Sequence, residues 1–467
     1  MALLADFSGL PDIVWVKVMS CLELGDRNSV SRTCSRLNEV FHHPSLWHTV
    51  RIVLLGDLDE SHQPWLRPSR GVIIPERYTS MIQAFGAFFQ NVEFIIVGYV
   101  RKITTSCEEV IIQLAKNCRL ENLMLEIGDP VNLVTKRKPA SDSDLRVIGS
   151  LVSKAFRLRS LAVTSWPIYP DHKGYDILCC IRDNQQIANL QKLRLFDRDA
   201  GPETWFSRNT RLPLPDEVVE TVRHFNQLTS LGLHADLLTE DLLMELCNLK
   251  WFNHISLLLI QSSNTAPVHI SSSSWKKLAT KQLTLKVDVT IGNIVASHEL
   301  FQFFNSEIPL TSVTFSKYCR YPPHFLEHLS ACYARTLTKF QDFGDGLTGR
   351  DSVILSLVKK CLRVNYFVYY GPLKDSSIVS LAESRGYDWK TFGLKLQNNP
   401  PPEDDDEDEV LGVTSAGDFF VKAHQPNSDF YYTDESKELR LQRMEAIIDH
   451  VSKILQRKWS PIHTMES

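Results

Sequence analysis

Cysteine and histidine are the residues of this chain most able to perform nucleophilic or metal-dependent chemistry, and it has ten and fifteen of them. Their spacing matches no catalytic or zinc-binding frame: Cys107 and Cys118, and the adjacent Cys179 and Cys180, fit neither the paired C-x-x-C nor the Cys/His pattern. The motifs H-E-x-x-H and G-x-S-x-G are absent, as are the glycine-rich phosphate-binding loops. The sequence therefore predicts no catalytic residue, no metal site and no cofactor.

Charge and hydropathy restrict the classes of partner and the cellular compartment that we expect for this chain. The chain has 51 basic and 55 acidic residues, and seven of the acids form one run at 403–409, so the remainder is close to neutral. We expect no binding to nucleic acid, because no global basic field exists. Apolar runs such as 94–97 and 255–260 are too short to span a bilayer, and the N-terminus lacks the pattern of a secretory signal. We therefore expect this chain to lie in the cytoplasm or nucleus, with its cysteines reduced, and to make no contact with a membrane.

Residues 10–50 predict a small helical unit. Pro11 suits a first helical turn and Asp12 complements the positive end of the helix dipole. We expect this helix to end at Leu24-Gly25, Asp26 to cap a second helix from about 27 to 41, and residues 44–47 to close the unit. So short a segment buries little apolar surface by itself, which favours a partner that covers the remainder.

This segment resembles the F-box motif along its whole length, in the sequence LPDIVWVKVMSCLELGDRNSVSRTCSRLNEVFHHPSLWHTV. The resemblance implies that it binds a Skp-type adaptor. Three positions depart from the family pattern: Arg27 and Asn28, where apolar residues are usual, and Leu37, where Trp is common. The alternative is a helical cap that binds nothing. The adaptor-binding positions that the resemblance implies are Leu10, Pro11, Ile13, Val16, Leu22, Val30, Cys34, Leu46 and Trp47.

A repeat fills the middle of the chain, from about 75 to 397. Its core is an apolar residue, two variable residues, an apolar residue, one variable residue and a further apolar residue, with copies spaced by roughly 24 to 38 residues against about 20–29 for most leucine-rich repeats. Helical stretches such as 144–156, 216–225 and 351–361 lie between the copies. The alternation predicts parallel strands joined by helical crossovers and stacked as a solenoid. A doubly wound α/β domain is the alternative, but its phosphate-binding glycines are missing. The copies start at Phe89, Leu120, Leu158, Leu190, Leu228, Phe252, Thr280, Leu310 and Trp389, with weaker copies at Leu337 and Arg363.

An F-box followed by irregular, helix-rich repeats is similar to the F-box/leucine-rich-repeat proteins, and residues 273–291 and 306–319 more loosely resemble F-box-only protein thirty-nine and its relatives. The resemblance implies an α/β fold class: a three-helix F-box, an irregular leucine-rich-repeat solenoid and a C-terminal helix. It also implies a non-catalytic receptor subunit of a Skp–cullin–F-box ubiquitin ligase, which reaches the cullin and the RING protein through the adaptor and binds an unknown protein substrate. A scaffold acting outside any ligase is the alternative function.

Strand parity suggests where a substrate would bind. The apolar residues of each repeat point inward, so their neighbours face outward and form a candidate protein-binding surface. Arg194 and Phe196 are the preferred anchor pair; the alternative for each residue is an ordinary solvated position. The full set is Met124, Glu126, Ala162, Thr164, Arg194, Phe196, Gly232, His234, Ser256 and Leu258.

These predictions divide the chain into an F-box domain at 1–54, a repeat solenoid at 75–397, a disordered acidic linker at 398–433 and an amphipathic helix at 434–459. The acidic run is expected to be a flexible spacer, with a docking site for a basic partner as the alternative. In the last helix, apolar residues recur every three or four positions. We expect this helix to fold back onto the solenoid, with dimerisation as the alternative.

Overall fold

The structure is a computed structural model that describes residues 10–22, 24–55, 75–97, 105–128, 142–164, 177–184, 186–195, 213–260, 270–292, 297–317, 319–344, 350–396 and 434–462. The predicted acidic linker lies outside these ranges. The chain divides into two compact units. The first comprises Met1–Arg198, Ser207–Leu258 and Ser273–Leu285, and the second comprises Asp199–Phe206, Leu259–Ser272 and Lys286–Ser467.

The first unit begins with three helices, α1 (Asp12–Ser20), α2 (Leu24–Ser31) and α3 (Ser35–Phe41), followed by a 3-10 turn at Pro44–Trp47. The prediction of one helix from 27 to 41 is wrong, because the chain breaks at Cys34. Its backbone is extended, and its Sγ accepts the Leu37 amide at 3.5 Å, so Cys34 caps α3. Leu24 starts α2 and does not end α1.

Parallel strands and crossover helices follow in the first unit, as the repeat predicted. Strands β1 to β7 pair in sequence order, and all six pairings are parallel. The sequence analysis missed β1, which directly follows the 3-10 turn. The strands are β1 (Thr49–Leu55), β2 (Asn91–Val97), β3 (Asn122–Gly128), β4 (Ser160–Thr164), β5 (Lys192–Arg194), β6 (Ser230–His234) and β7 (His254–Leu259). The helices are α4 (Pro75–Phe85), α5 (Thr105–Asn117), α6 (Asp142–Lys154), α7 (Ile177–Asp183), α8 (Pro215–Val222), α9 (Glu240–Asn248) and α10 (Ser272–Lys281), with 3-10 turns at Gly86–Phe88, Ile187–Asn189 and Ala235–Leu237.

One buried apolar row runs across these strands and forms the core of the first unit. Each member lies beside the next in the strand register, so burial is continuous from repeat to repeat, as stacking requires. The row is Val50, Val92, Leu123, Leu161, Leu193, Leu231 and Ile255.

The second unit repeats the scheme with larger side chains. Strands β8 to β12 pair in order and in parallel, and the Phe340 ring lies 5.6 Å from that of Phe367, which lies 6.1 Å from that of Phe392. The strands are β8 (Lys286–Ile291), β9 (Leu310–Phe315), β10 (Lys339–Asp342), β11 (Tyr366–Tyr369) and β12 (Thr391–Leu394). The helices are α11 (Ser297–Phe303), α12 (Pro323–Tyr333), α13 (Asp351–Lys360), α14 (Asp375–Glu383) and α15 (Asp434–Leu455), with a 3-10 turn at Gly386–Asp388.

Two predicted repeat copies have the wrong register. In the copy starting at Thr280, the first residue belongs to α10 and Leu283 is 88% exposed. In the copy starting at Arg363, Phe367 pairs with Phe340 and Phe392, so Phe367 holds the core position that was assigned to Tyr366. Since strand side chains alternate between faces, a shift of one residue exchanges the inward and outward sets.

The last helix, α15, folds back onto the last repeat, as expected. Its Arg443 makes a bidentate ion pair with Asp375 of α14. After the helix, the Trp459 indole N–H donates to the Phe392 carbonyl at 2.8 Å, and the Ile462 amide donates to the Leu394 carbonyl at 2.9 Å. The chain therefore continues past α15 along strand β12.

Candidate protein-binding surfaces

Helix α1 carries apolar side chains that the protein itself leaves uncovered. Val16 and Met19 point into the helical unit, whereas Ile13, Val14 and Val18 are 69%, 36% and 42% exposed. These three residues, named the α1 patch below, lie at helical spacings that bring Val14 and Val18 onto one face. Pro11, just before the helix, is exposed as well. An exposed cluster of branched apolar side chains on a short helix is typical of a protein-binding surface.

The nine predicted adaptor-binding residues fall into three groups by their exposure. Pro11, Ile13 and Cys34 are exposed, and Leu10, Leu22 and Val30 are half-buried. Val16, Leu46 and Trp47 are buried and pack the helical unit. The patch also contains Val14 and Val18, which sequence reasoning did not select, although their apolar character was visible in the stretch from Asp12 to Ser20.

Trp47 joins the helical unit to the first repeat. Its indole N–H donates to the Phe41 carbonyl at 2.8 Å. The ring meets Phe41 edge-on at 5.0 Å, stacks on Phe85 at 4.0 Å and lies 6.4 Å from Phe89. Since Phe85 ends α4 and β1 starts two residues after Trp47, helices and repeats share one packed interior here.

Arg27, one of the departures from the F-box pattern, has an internal role. Its guanidinium donates to three backbone carbonyls, those of Leu22 at 2.8 Å, Leu46 at 2.9 Å and Ser20 at 3.3 Å. Burial lowers the pKa of Arg27, opposed by the nearby Cys21. The side chain ties the end of α1 to the 3-10 turn, which an apolar residue could not do.

A second arginine fixes the start of α1. Arg36 of α3 forms an ion pair with Asp12 at 2.9 Å and donates to the Leu10 carbonyl. Both side chains are partly exposed, so the pair contributes little stability, but it orients the first turn that presents the α1 patch.

The strand register places the predicted target-binding residues in rows across the sheet. Met124, Ala162, Arg194, Gly232 and Ser256 lie side by side across β3 to β7. The side chain of Arg194 is half-buried in the middle of this row.

The next row is only partly described. Glu126 and Thr164 have described backbones alone, and Phe196 lies outside the described residues. His234 and Leu258 are buried, at 9% and 2% exposure. Burial lowers the pKa of His234 to about 4, so its ring is neutral at physiological pH.

A polar row, missed by sequence reasoning, runs beside these positions. Its members precede the first inward residue of each strand, which is the signal that could have found them. Asn122 donates to Asn91, which donates to Thr49 at 3.0 Å, and Ser230 lies 2.8 Å from the His254 ring nitrogen. The row is Thr49, Asn91, Asn122, Ser160, Lys192, Ser230 and His254.

In the described part of the chain, no three His, Cys, Asp or Glu residues cluster so as to hold a metal ion. No helix within the same ranges has both the length and the apolar character needed to cross a bilayer.

Comparison with known proteins agrees with this architecture. Residues 7–53 match the family model described as F-box-like. The chain is 24% identical to F-box/LRR-repeat protein 21 of Mus musculus over 322 residues, which are 68% of this chain and 66% of that protein. The Bos taurus and Ovis aries proteins of the same name are each 25% identical, over 320 and 317 residues. The match thus spans just under two thirds of each relative.

An F-box-like domain joined to parallel strands with helical crossovers defines the class. This chain combines an F-box-like domain at residues 7–53 with a leucine-rich-repeat-like solenoid.

Proposed function

We propose that this protein is the substrate receptor of a Skp–cullin–F-box ubiquitin ligase. The observation that carries the proposal is the α1 patch, an uncovered apolar surface on an F-box-like domain that is packed directly against a repeat array. One end binds the Skp-type adaptor, and through it the cullin and the RING protein. The array binds the target. The receptor forms no covalent intermediate; it raises the effective concentration of target lysines near the charged conjugating enzyme.

The adaptor contact needs an apolar groove. Ile13, Val14 and Val18 remain in water in the free chain, so covering them gains the free energy of apolar burial. A helix that presents such side chains to a partner groove is a common mode of protein recognition. The buried Trp47 and Leu46 contribute indirectly, because they set the position of the helices.

The target surface is assigned to the outward face of the first unit. Two adjacent rows combine hydrogen-bonding groups with a central guanidinium, that of Arg194. The hydrogen bonds that link Thr49, Asn91 and Asn122 hold part of this face in a fixed arrangement before a partner arrives. Such preorganisation reduces the entropy cost of binding.

The cytoplasm or nucleus is the compartment we propose. All ten cysteines are free thiols. Burial raises the pKa of Cys118 to about 12 and that of Cys361 to about 11, so these thiols stay protonated and unreactive. Ten free cysteines fit a reducing compartment.

The test is recovery of the adaptor and cullin with the full chain from cells. Ile13→Asp with Val18→Asp should abolish recovery of both, since two charges would enter an apolar groove. Leu441→Asp is the matched control, because Leu441 is also a helical apolar residue, 59% exposed, but on α15. Undiminished adaptor recovery by the double variant would refute the proposal. Recovery of adaptor without cullin from the wild type would favour the scaffold.

A further inference from the structure

The turns that lead into the strands of the first unit lie side by side at one end of the sheet. The Arg159 amide donates to the Glu121 carbonyl at 2.7 Å, and the Gln191 amide to that of Arg159 at 2.8 Å. The Thr229 amide donates to the Gln191 carbonyl at 2.7 Å, and the Asn253 amide donates to the Thr229 carbonyl at 3.0 Å. Side chains on these turns therefore share one edge of the molecule.

Large apolar side chains are exposed on this edge. Phe156 and Trp251, on turns before β4 and β7, are 56% and 57% exposed, and Leu283 is 88% exposed. The turn of Leu283 lies beside that of Trp251, because the Gln282 amide side chain donates to the Leu249 carbonyl at 2.7 Å. None of the three belongs to the α1 patch or to the outward rows.

Exposed cations surround these residues. The Arg157 guanidinium lies 5.7 Å from the centre of the Phe156 ring, and the Lys250 ammonium 4.6 Å from that of Trp251. No carboxylate in the described ranges forms an ion pair with the basic members. We name this surface the basic edge: Arg119, Lys154, Arg157, Arg159, Lys250 and Lys281, with Phe156, Trp251 and Leu283.

Helix dipoles do not explain the basic edge. Basic residues in a last helical turn, such as Lys154 of α6, do favour the negative end of the dipole. Arg157 and Arg159 lie beyond the end of α6, and Lys250 lies beyond the end of α9. Dipole complementarity also gives no reason to expose two aromatic rings.

We propose that the basic edge binds an acidic segment of a partner protein, with apolar side chains of that segment packing on Phe156 and Trp251. Charge complementarity sets the sign of the partner, and the exposed rings require an apolar component. From β3 to β7 the edge covers four strand spacings, about 19 Å, which about six residues of extended chain can span.

The experiment measures fluorescence anisotropy of labelled peptides with the full-length protein. One peptide alternates Glu and Asp with Leu and Phe over about a dozen residues, twice the length needed for the span. The reference peptide has Gln and Asn in place of the acids. We expect the acidic peptide to bind tighter, and its binding to weaken as salt rises from about 50 to about 500 mM.

Variants locate the site. Arg157→Glu with Arg159→Glu should weaken binding about tenfold or more, because two attractions become repulsions. Phe156→Ser with Trp251→Ser should weaken it at unchanged salt dependence. Arg77→Glu, an exposed charge reversal on α4 of the same unit, is the matched control and should change nothing.

Equal affinity for the two peptides would overturn the proposal, and so would binding that survives the charge reversal. Preferential binding of a single-stranded oligonucleotide or of phosphatidylserine vesicles, lost in the same double variant, would assign the edge to a different partner and also overturn it. If the charge-reversal protein fails to fold, the salt titration and the aromatic variant decide. Adaptor recovery is independent of all these results.

Discussion

The indole ring of Trp47 lies flat against the ring of Phe85, with centroids 4.0 Å apart and planes 3° from parallel. Trp47 closes the F-box-like helices, and Phe85 is the last residue of α4 in the first repeat. Phe41 meets both rings edge-on. This aromatic contact gives the F-box-like domain a fixed position on the repeats, as the proposed receptor function requires.

Trp47→Ala should therefore destabilise both the helices and the first repeat. The change removes a fully buried ring and its hydrogen bond, so we expect a loss of about 3–5 kcal/mol in the free energy of unfolding. Hydrogen exchange should quicken in α1 to α3 and also in α4 and β1. Trp251→Ala is the control, because Trp251 is exposed and its removal should cost less than about 1 kcal/mol. Faster exchange confined to α1–α3 would show that the two parts are not coupled.

Arg27→Met should loosen the helical unit from within. The variant loses the three bonds to the Leu22, Leu46 and Ser20 carbonyls, and with them about 2–3 kcal/mol. Arg27→Lys should recover only part of this, since an ammonium cannot reach three carbonyls in different directions. Urea unfolding and exchange of the 20–46 amides measure the effect. Arg32→Met, at an exposed position just after α2, serves as the control; an equal loss there would contradict the assigned role.

The sequence predicted the repeats well wherever strict alternation held, as at Leu123 and Leu125, because a period of two is sufficient to assign faces. It failed where both faces are apolar. Phe367, Val368 and Tyr369 are all buried, so alternation carries no signal there. The inward position of Asp342 was missed for another reason, because the repeat pattern places an apolar residue there. Asp342 lies beside Phe315 and Tyr369, and its carboxylate accepts hydrogen bonds from Tyr321 and the Gly344 amide.

The sequence also could not show which residues of the F-box-like helices are buried and which are exposed. The pattern marks Trp47 and Ile13 alike as apolar contact positions. Only the packing of Phe85 and Phe89 around Trp47 shows that its own chain covers it, while Ile13 stays exposed. Which aromatic residues pack on Trp47 depends on contacts between segments that are about 40 residues apart in the chain, and such contacts leave no local pattern in a single sequence.

Stability should fall as the solution is acidified, because of His234. Burial lowers the pKa of its ring from 6.5 to about 4, outweighing the Asp236 carboxylate 3.5 Å away. Between these values the unfolded chain binds the proton and the folded chain does not. The free energy of unfolding is therefore at its full value above pH about 6.5, and it falls by roughly 3 kcal/mol as the pH is lowered to about 4. Urea titrations of wild type and His234→Asn should diverge in this window. His224→Asn, at an exposed site, should follow the wild type; a wild-type profile in His234→Asn would refute the assignment.

The chain after α15 should be displaced by a side chain at Gly393. A Cβ built on Gly393 would stand 2.6 Å from the Cδ1 atom of Ile462, a contact that the flexible end of Ile462 can relieve for Ala but not for Leu. Gly393→Leu should therefore free the Ile462 amide from the Leu394 carbonyl, seen as faster hydrogen exchange and earlier proteolysis of the last residues. Adding Ile462→Ala should restore protection, with a coupling energy of about 1 kcal/mol in a double-mutant cycle. Additive effects of the two changes would mean that Ile462 does not pack on β12. The Trp459 bond to Phe392 should persist in every variant, because it lies outside this contact.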